Sequence, residues 1–331
     1  MHIPKISLAD DLPICRILNG MWQVSGGHGQ INRESAILEM LEYHKDGFTT
    51  WDLADIYGPA ESYIGEFHKR LPLEELSKSQ ALTKFVPNPG PMTKSIVEYY
   101  VDQSLKKMNT ESLDLLQFHW WDYNNSSYID ALNHLSKLRD DGKIKHLGLT
   151  NFDTTRVKIM IEKGFKLVSN QVQYSILDQR AEKLMTPFCL KHGISLLTYG
   201  TLLGGFLSEK YLNSPEPHRS DLTTSSLQKY HNMITAWGGW GLFQKLLDVL
   251  SKIAKKHDSS IANVSAKFIL DKPSVAGIII GTRLGISEHR DDNLHVFDLE
   301  LDSQDHSLIN SITKKSNDLF DTIGDCGDEY R

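Results

Sequence analysis

Eight short apolar runs, each bounded by turn-forming residues, constrain the fold of this 331-residue chain more than any other feature. They cover 16–22, 47–51, 81–85, 113–118, 144–149, 167–172, 194–198 and 277–280. Between them, segments such as 35–45, 96–107, 131–139, 156–162 and 181–190 place apolar residues at three- and four-residue steps, the period of an amphipathic helix. Strand alternating with helix implies parallel strands, and eight of these suit a closed (β/α)8 TIM barrel. A doubly wound open sheet shares the alternation but normally carries its nucleotide on a glycine-rich first strand-to-helix turn. Here that turn reads Ser25-Gly26-Gly27-His28-Gly29 and does not match GxGxxG in the required place.

Punctuation agrees with the alternation. Thr93 and Asp153 can cap helix starts, while Gly47, Gly142, Gly164 and Gly193 can end helices in the left-handed conformation. The simple length prior gives about two domains, yet barrels often use 250 or more residues for one core, so one barrel domain over 1–331 is expected. A long loop over about 200–243 carries Gly204, Gly205, Pro215, Pro217 and Trp237-Gly238-Gly239-Trp240, and reads as a lid or a surface insertion. Its first part, Tyr199-Gly200-Thr201-Leu202-Leu203-Gly204-Gly205, offers unobstructed backbone amides to a pyrophosphate.

Composition removes several functions. A formal charge of −6, with no long Lys/Arg block, argues against nucleic acid as a partner. No apolar stretch of about 18 residues exists to cross a bilayer, and the N-terminal segment carries no secretory or mitochondrial pattern. The Asp-Glu-Tyr-Arg ending is no prenylation or retention signal. Three scattered cysteines, Cys15, Cys189 and Cys326, draw no disulfide framework and suit a reducing, cytoplasmic setting. No HExxH or tight His/Cys cluster appears, and isolated residues such as His28, His289 and His295 leave no metal site to expect.

Asp52, Tyr57, Lys84 and His119 lie at or just beyond the C-terminal ends of runs two, three and four. In a parallel barrel those ends meet on one face, where catalytic groups gather. Singly, each has a plain reading: a strand-end cap, a loop aromatic, a snorkelling lysine, a core histidine. Together they suit proton transfer to a carbonyl beside a hydride donor. A free tyrosine is a weak acid, so the expected role of Lys84 is to lower the Tyr57 phenol pKa, with Asp52 holding the ammonium and His119 bonding the carbonyl oxygen. Trp22, Trp51, Trp120, Trp121 and Tyr123 near strand ends suggest an aromatic wall for an aldehyde, ketone or sugar, although core packing explains Trp51 as well.

The chain resembles the aldo-keto reductases in Phe48-Thr49-Thr50-Trp51-Asp52-Leu53-Ala54-Asp55-Ile56-Tyr57-Gly58, in Leu82-Thr83-Lys84 and in Leu113-Asp114-Leu115-Leu116-Gln117-Phe118-His119. The likeness continues through Gly148-Leu149-Thr150-Asn151-Phe152, Asn170-Gln171-Val172-Gln173-Tyr174-Ser175 and Tyr199 to Gly281-Thr282-Arg283 with Asp292-Asn293. It implies a barrel binding NADP(H) in extended form, with Asp52, Tyr57, Lys84 and His119 as the catalytic tetrad and Tyr57 as the general acid. It further implies that Thr150, Asn151 and Gln171 hold the nicotinamide amide and that Tyr199 stacks on its ring. The rest of the cofactor would meet Trp22, Gly200, Leu202, Gly204, Gly281, Thr282, Arg283, His289 and Asn293. Ile280 and His289 depart from the commoner family residues at their positions. The rival reading is a nucleotide-binding partner protein of the same fold, similar to potassium-channel β-subunits; a cofactor-free sugar-phosphate isomerase is a weaker third.

Overall fold

The structure, a computed structural model, describes residues 3–26 and 31–330, so Gly27, His28 and Gly29 of the first turn lie outside it. Strands β1 (Lys5–Ala9) and β2 (Leu12–Cys15) pair antiparallel. Then follow β3 (Ile17–Gly20), β4 (Thr50–Asp52), β5 (Gln80–Phe85), β6 (Leu113–His119), β7 (Ile144–Thr150), β8 (Ser169–Gln173), β9 (Ser195–Tyr199) and β10 (Val275–Gly281). These eight form a closed barrel in the order β10-β3-β4-β5-β6-β7-β8-β9. Every pairing around it is parallel, and β10 closes on β3 with Ile278 opposite Ile17 and Gly281 opposite Gly20. All eight apolar runs therefore became barrel strands.

Helices Arg33–Lys45, Lys94–Met108, Tyr128–Asp140, Thr154–Glu162 and Met185–His192 occupy the segments of helical period. Thr93 and Asp153 accept hydrogen bonds from the amides of Ile96 and Arg156, which satisfies donors that a helix start otherwise leaves unpaired. Further helices, Ala60–Arg70, Ile261–Leu270 and Ser303–Thr313 among them, complete the outer layer.

Successive residues of a strand face opposite sides, so each strand divides its side chains between the lumen and the helices. On β5, Ala81 and Phe85 join the outer core while Leu82 joins an inner one. The lumen is graded along its axis. At the strand starts, Leu18, Leu82, Leu115, Leu197 and Ala276 pack with Leu8, Leu12 and Ile14 of the β1–β2 hairpin, an apolar plug that closes that end. Each such aliphatic side chain contributes roughly 1.5–3 kcal/mol when fully buried. Further along the strands Asp52, Lys84, Gln117 and Gln171 are buried.

The connection after β9 is not one long loop. Residues 200–243 hold short 3₁₀ turns and then helix Ser225–Trp237, which breaks at Gly238, where φ is +152°, and resumes as Gly239–Lys256. Tyr230, Met233, Ile234, Trp237 and Trp240 are buried at three- and four-residue spacing. The serine- and proline-rich stretch before them hid that period. Among the described residues, no helix is long and apolar enough to cross a membrane, and no group of three or more His, Cys, Asp or Glu side chains could hold a metal ion.

Candidate active site

Asp52 ends β4, Lys84 is the penultimate residue of β5 and His119 ends β6. Tyr57 follows β4 on a loop tied to β5: the amides of Leu53 and Asp55 donate to the carbonyls of Leu82 and Lys84, each at 3.1 Å. A turn from Ala54 to Tyr57 then brings the phenol ring to 5.1 Å from the Lys84 ammonium. Lys84 donates to both Asp52 oxygens, at 2.8 and 2.7 Å, and to the Leu53 carbonyl at 2.9 Å. The ammonium thus bridges a carboxylate and a backbone carbonyl. Asp52 Oδ1 also accepts from the amides of Gln117 at 3.1 Å and Gln171 at 2.7 Å. One carboxylate thus ties together four strands.

Burial pulls the Lys84 ammonium below its ordinary pKa, and Asp52 opposes that shift. Burial pushes the Tyr57 phenol well above its usual value, and the negative charge of Asp52 pushes the same way. The expectation that Lys84 acidifies Tyr57 is therefore corrected for this state. Seen from the phenol, Lys84 and Asp52 form a nearly neutral pair.

The aromatic residues divide by strand parity. Trp51 and Trp120 face outward and are fully buried in the outer core, Trp51 against Tyr43 and Phe67, so neither walls a pocket. Trp22 stands edge-on to Tyr57 at 5.0 Å and is 39% exposed. Trp121 lies 4.2 Å from His119. Tyr123 braces the neighbouring loop, donating to the Asn151 carbonyl at 3.2 Å and accepting from the Asp153 amide at 3.0 Å.

Thr150, Asn151 and Tyr199 converge beside this group. The Tyr199 phenol oxygen lies 2.8 Å from Oδ1 of Asn151. Thr150 Oγ1 is buried without a hydrogen-bond partner. An orphaned hydroxyl beside an amide and an aromatic ring is a fitting partner set for the carboxamide and ring of a nicotinamide. Gln171 departs from its expected role: its Nε2 donates to Asp52 and to Gln117 inside the lumen.

The model of the Aldo/keto reductase family matches residues 16–314, nearly the whole barrel. The chain belongs to the aldo/keto reductase family. Among curated relatives, flagellar radial spoke protein 5 of Chlamydomonas reinhardtii is 28% identical over 66% of this chain, a match that covers 49% of that protein. The NADH-specific methylglyoxal reductase of Escherichia coli is 22% identical over 92% of this chain and 96% of its own length. Among solved structures, the glycerol dehydrogenase AKR11B4 from Gluconobacter oxydans superposes with a TM-score of 0.77 at 22% identity, over 98% of this chain and 95% of that one. Family and relatives together support a carbonyl oxidoreductase.

The residues of this aldo/keto reductase expected to meet the cofactor's phosphates are less open than the group around Tyr57. In the turn after β9, the amides of Leu203 and Gly205 bond back to the carbonyls of Gly200 and Leu202. The Tyr230 ring lies against both Gly200 and Gly204, and would collide with a Cβ at the first and crowd one at the second. Leu202 packs against the core from the same turn. Thr282 donates its amide and its hydroxyl to the Gly20 carbonyl, each at 2.9 Å, and Gln23 covers Gly281. Arg283 and His289 are exposed, and Asn293 is buried in the short helix Arg290–Leu294.

Sequence reasoning missed Arg180, Lys229, Glu329 and Tyr330. Arg180 chelates Asp178 through Nε and Nη2 at 2.8 Å each, and Nη2 also donates to Glu329 at 2.9 Å. These residues carry no motif, and their contacts span up to 149 positions, so no local signal could have found them.

Proposed function

We propose that this aldo/keto reductase interconverts a carbonyl and its alcohol, with Tyr57 as the proton donor to the carbonyl oxygen. The observation that carries the reading is the Tyr57 ring held 5.1 Å from an ammonium that is itself clamped on Asp52 at the barrel mouth. A bound nicotinamide supplies the hydride to the carbonyl carbon. Tyr57 gives its proton to the alkoxide that forms, a far stronger base than any phenolate, so a raised phenol pKa leaves donation downhill. The phenolate left behind then feels the Lys84 charge through space. His119 orients the carbonyl oxygen by a hydrogen bond. Trp22 and Trp121 wall a space suited to a small aldehyde, ketone or sugar.

NADP(H) is the cofactor expected from the resemblance. Arg283 offers it a guanidinium, and that of Arg290 is already paired with Glu288 and Asp46, whereas Asp291 and Asp292 occupy the first turn of helix Arg290–Leu294. Two adjacent anions repel a 2′-phosphate. The charge balance favours NADH, and the name of the Escherichia coli relative agrees with that preference.

The test is turnover on a panel of small aldehydes, ketones and sugars with each nucleotide. Turnover is expected on at least one class, with NADH preferred, and Tyr57→Phe is expected to lower kcat by about 10²–10⁴-fold while nucleotide Kd stays within twofold. Undiminished kcat in that variant removes Tyr57 from the acid role. A nucleotide-binding partner protein with little turnover remains the second reading. It is favoured by one observation, the C-terminal segment lying across the mouth, and is supported by negligible turnover over the whole panel with nucleotide still bound.

A further inference from the structure

The tail of the chain is docked where the proposed nicotinamide would lie. The Glu329 side chain is only 6% exposed, held by Nη2 of Arg180 at 2.9 Å and by the Tyr199 phenol at 3.0 Å. Burial alone would raise its carboxyl pKa, but Arg180 and Lys229 outweigh burial and hold it below the usual range. Glu329 is therefore docked as an anion. Tyr330 follows, with its phenol oxygen 3.3 Å from that of Tyr199 and its ring 6.2 Å from His119 and 5.9 Å from Trp121. Lys229 donates to the Tyr330 hydroxyl and sits 4.2 Å from its ring.

Turning the Asn151 amide over lets it donate to Tyr199 while Tyr199 donates to Glu329, so the tail completes a bonded chain with no proton missing. Tyr199 and Asn151 are two of the groups a nicotinamide would need. Both are engaged by the tail or by each other, whereas Thr150 Oγ1 beside them is buried without a partner. The tail thus fits the site without satisfying all of it, as a substitute ligand would.

Its attachment has two parts. Asp325 is fixed by the Thr154 amide at 2.8 Å and by Arg180, whose Nη1 reaches its carbonyl at 3.0 Å, and the Cys326 thiol is buried in the outer core. Gly324 and Gly327 flank that anchor at φ of +111° and +87°, a region that favours glycine, and a Cβ at Gly324 would strike Asp328. Beyond Gly327, Glu329 and Tyr330 reach the mouth. With its base anchored at Asp325 and Cys326, the segment beyond Gly327 can leave the mouth and return without unpacking the core.

We propose that Glu329 and Tyr330 form an autoinhibitory strap that competes with the nicotinamide end of the cofactor for Tyr199 and Asn151. The inference rests on the nicotinamide dinucleotide reading above. A docked strap multiplies apparent affinity by the fraction of molecules in which the mouth is open, so a strap docked nine-tenths of the time weakens binding about tenfold.

The experiment measures Kd for NADH, NADPH and ADP-ribose, which lacks the nicotinamide, on the full chain, on the chain ending at Asp328, and on Glu329→Gln. The shortened chain is expected to bind its preferred dinucleotide at least tenfold more tightly, and Glu329→Gln severalfold more tightly, with ADP-ribose unchanged throughout. Thermal melts accompany each variant. Glu329→Gln retains the side-chain shape and serves as the readout if the shortened chain melts below assay temperature. Equal dinucleotide affinity across all three proteins overturns the strap, as does an equal gain for ADP-ribose. Failure of every form to bind either dinucleotide sinks the cofactor reading and the strap with it. Unchanged Kd with an altered substrate KM makes Tyr330 a pocket wall instead, and also overturns the proposal.

Discussion

The two ends of the barrel lumen are filled by opposite chemistry on the same strands. At one end Leu82, Leu115 and Leu197 meet the hairpin residues Leu8, Leu12 and Ile14 in an aliphatic cluster. Two residues further along β5 and β6, Lys84 and Gln117 turn the same inward face into a hydrogen-bonded cluster around Asp52. Aliphatic packing is tolerant, because its stabilisation scales with area removed from water and has no preferred direction. The cluster is intolerant: each buried donor or acceptor left alone costs about 1–3 kcal/mol, and more when it is charged. Stability can be tuned at the plugged end with little functional consequence, whereas the open end carries chemistry and stability in the same atoms.

Three substitutions probe that contrast. The largest effect is expected from Lys84→Met, which strands the Asp52 carboxylate and should cost about 3–5 kcal/mol in chemical denaturation, together with turnover. Leu115→Ala should cost about 2–5 kcal/mol, weighted to the lower end where the hairpin can settle inward, while kcat per folded molecule stays the same. A fall in kcat for Leu115→Ala would break the contrast, since it would mean that the plug sets the geometry of the mouth.

The smallest effect concerns Asp55, beside the tetrad loop. Burial raises its carboxyl from the ordinary 3.8 to about 7, against the Val86 amide that donates to it. A folded-state pKa above the unfolded one means that the folded chain binds the extra proton. The stabilisation is complete below about pH 4 and is lost as pH rises through about 7. Asp55→Asn should flatten that decline, so that its melting temperature gains on the parent between pH 5 and 8. Parallel curves for the two proteins would show that Asp55 is ionised throughout.

How much was legible beforehand follows the same division. The barrel strands could be read because strands buried on both faces are nearly continuous apolar runs. Asp52, Lys84 and His119 could be placed because each ends such a run. The β1–β2 hairpin was overlooked although Leu8, Leu12 and Ile14 frame its Asp10-Asp11 turn; its strands are short and only one face is buried. The direction of the Tyr57 shift differs from the expectation because sequence shows neither how far folding buries the phenol nor how closely Asp52 neutralises Lys84. Arg180 and Glu329 were invisible for a simpler reason: two residues so far apart meet only after the barrel exists.

The pairing of β10 with β3 has a consequence during synthesis. Ile17 must wait for Ile278 before its strand gains a neighbour on that side, so most of the polypeptide has left the ribosome while both margins of the growing sheet are still bare. Cells making this protein have reason to shield those margins until the last stave arrives, and a pause introduced shortly before residue 275 is where loss to aggregation should be greatest.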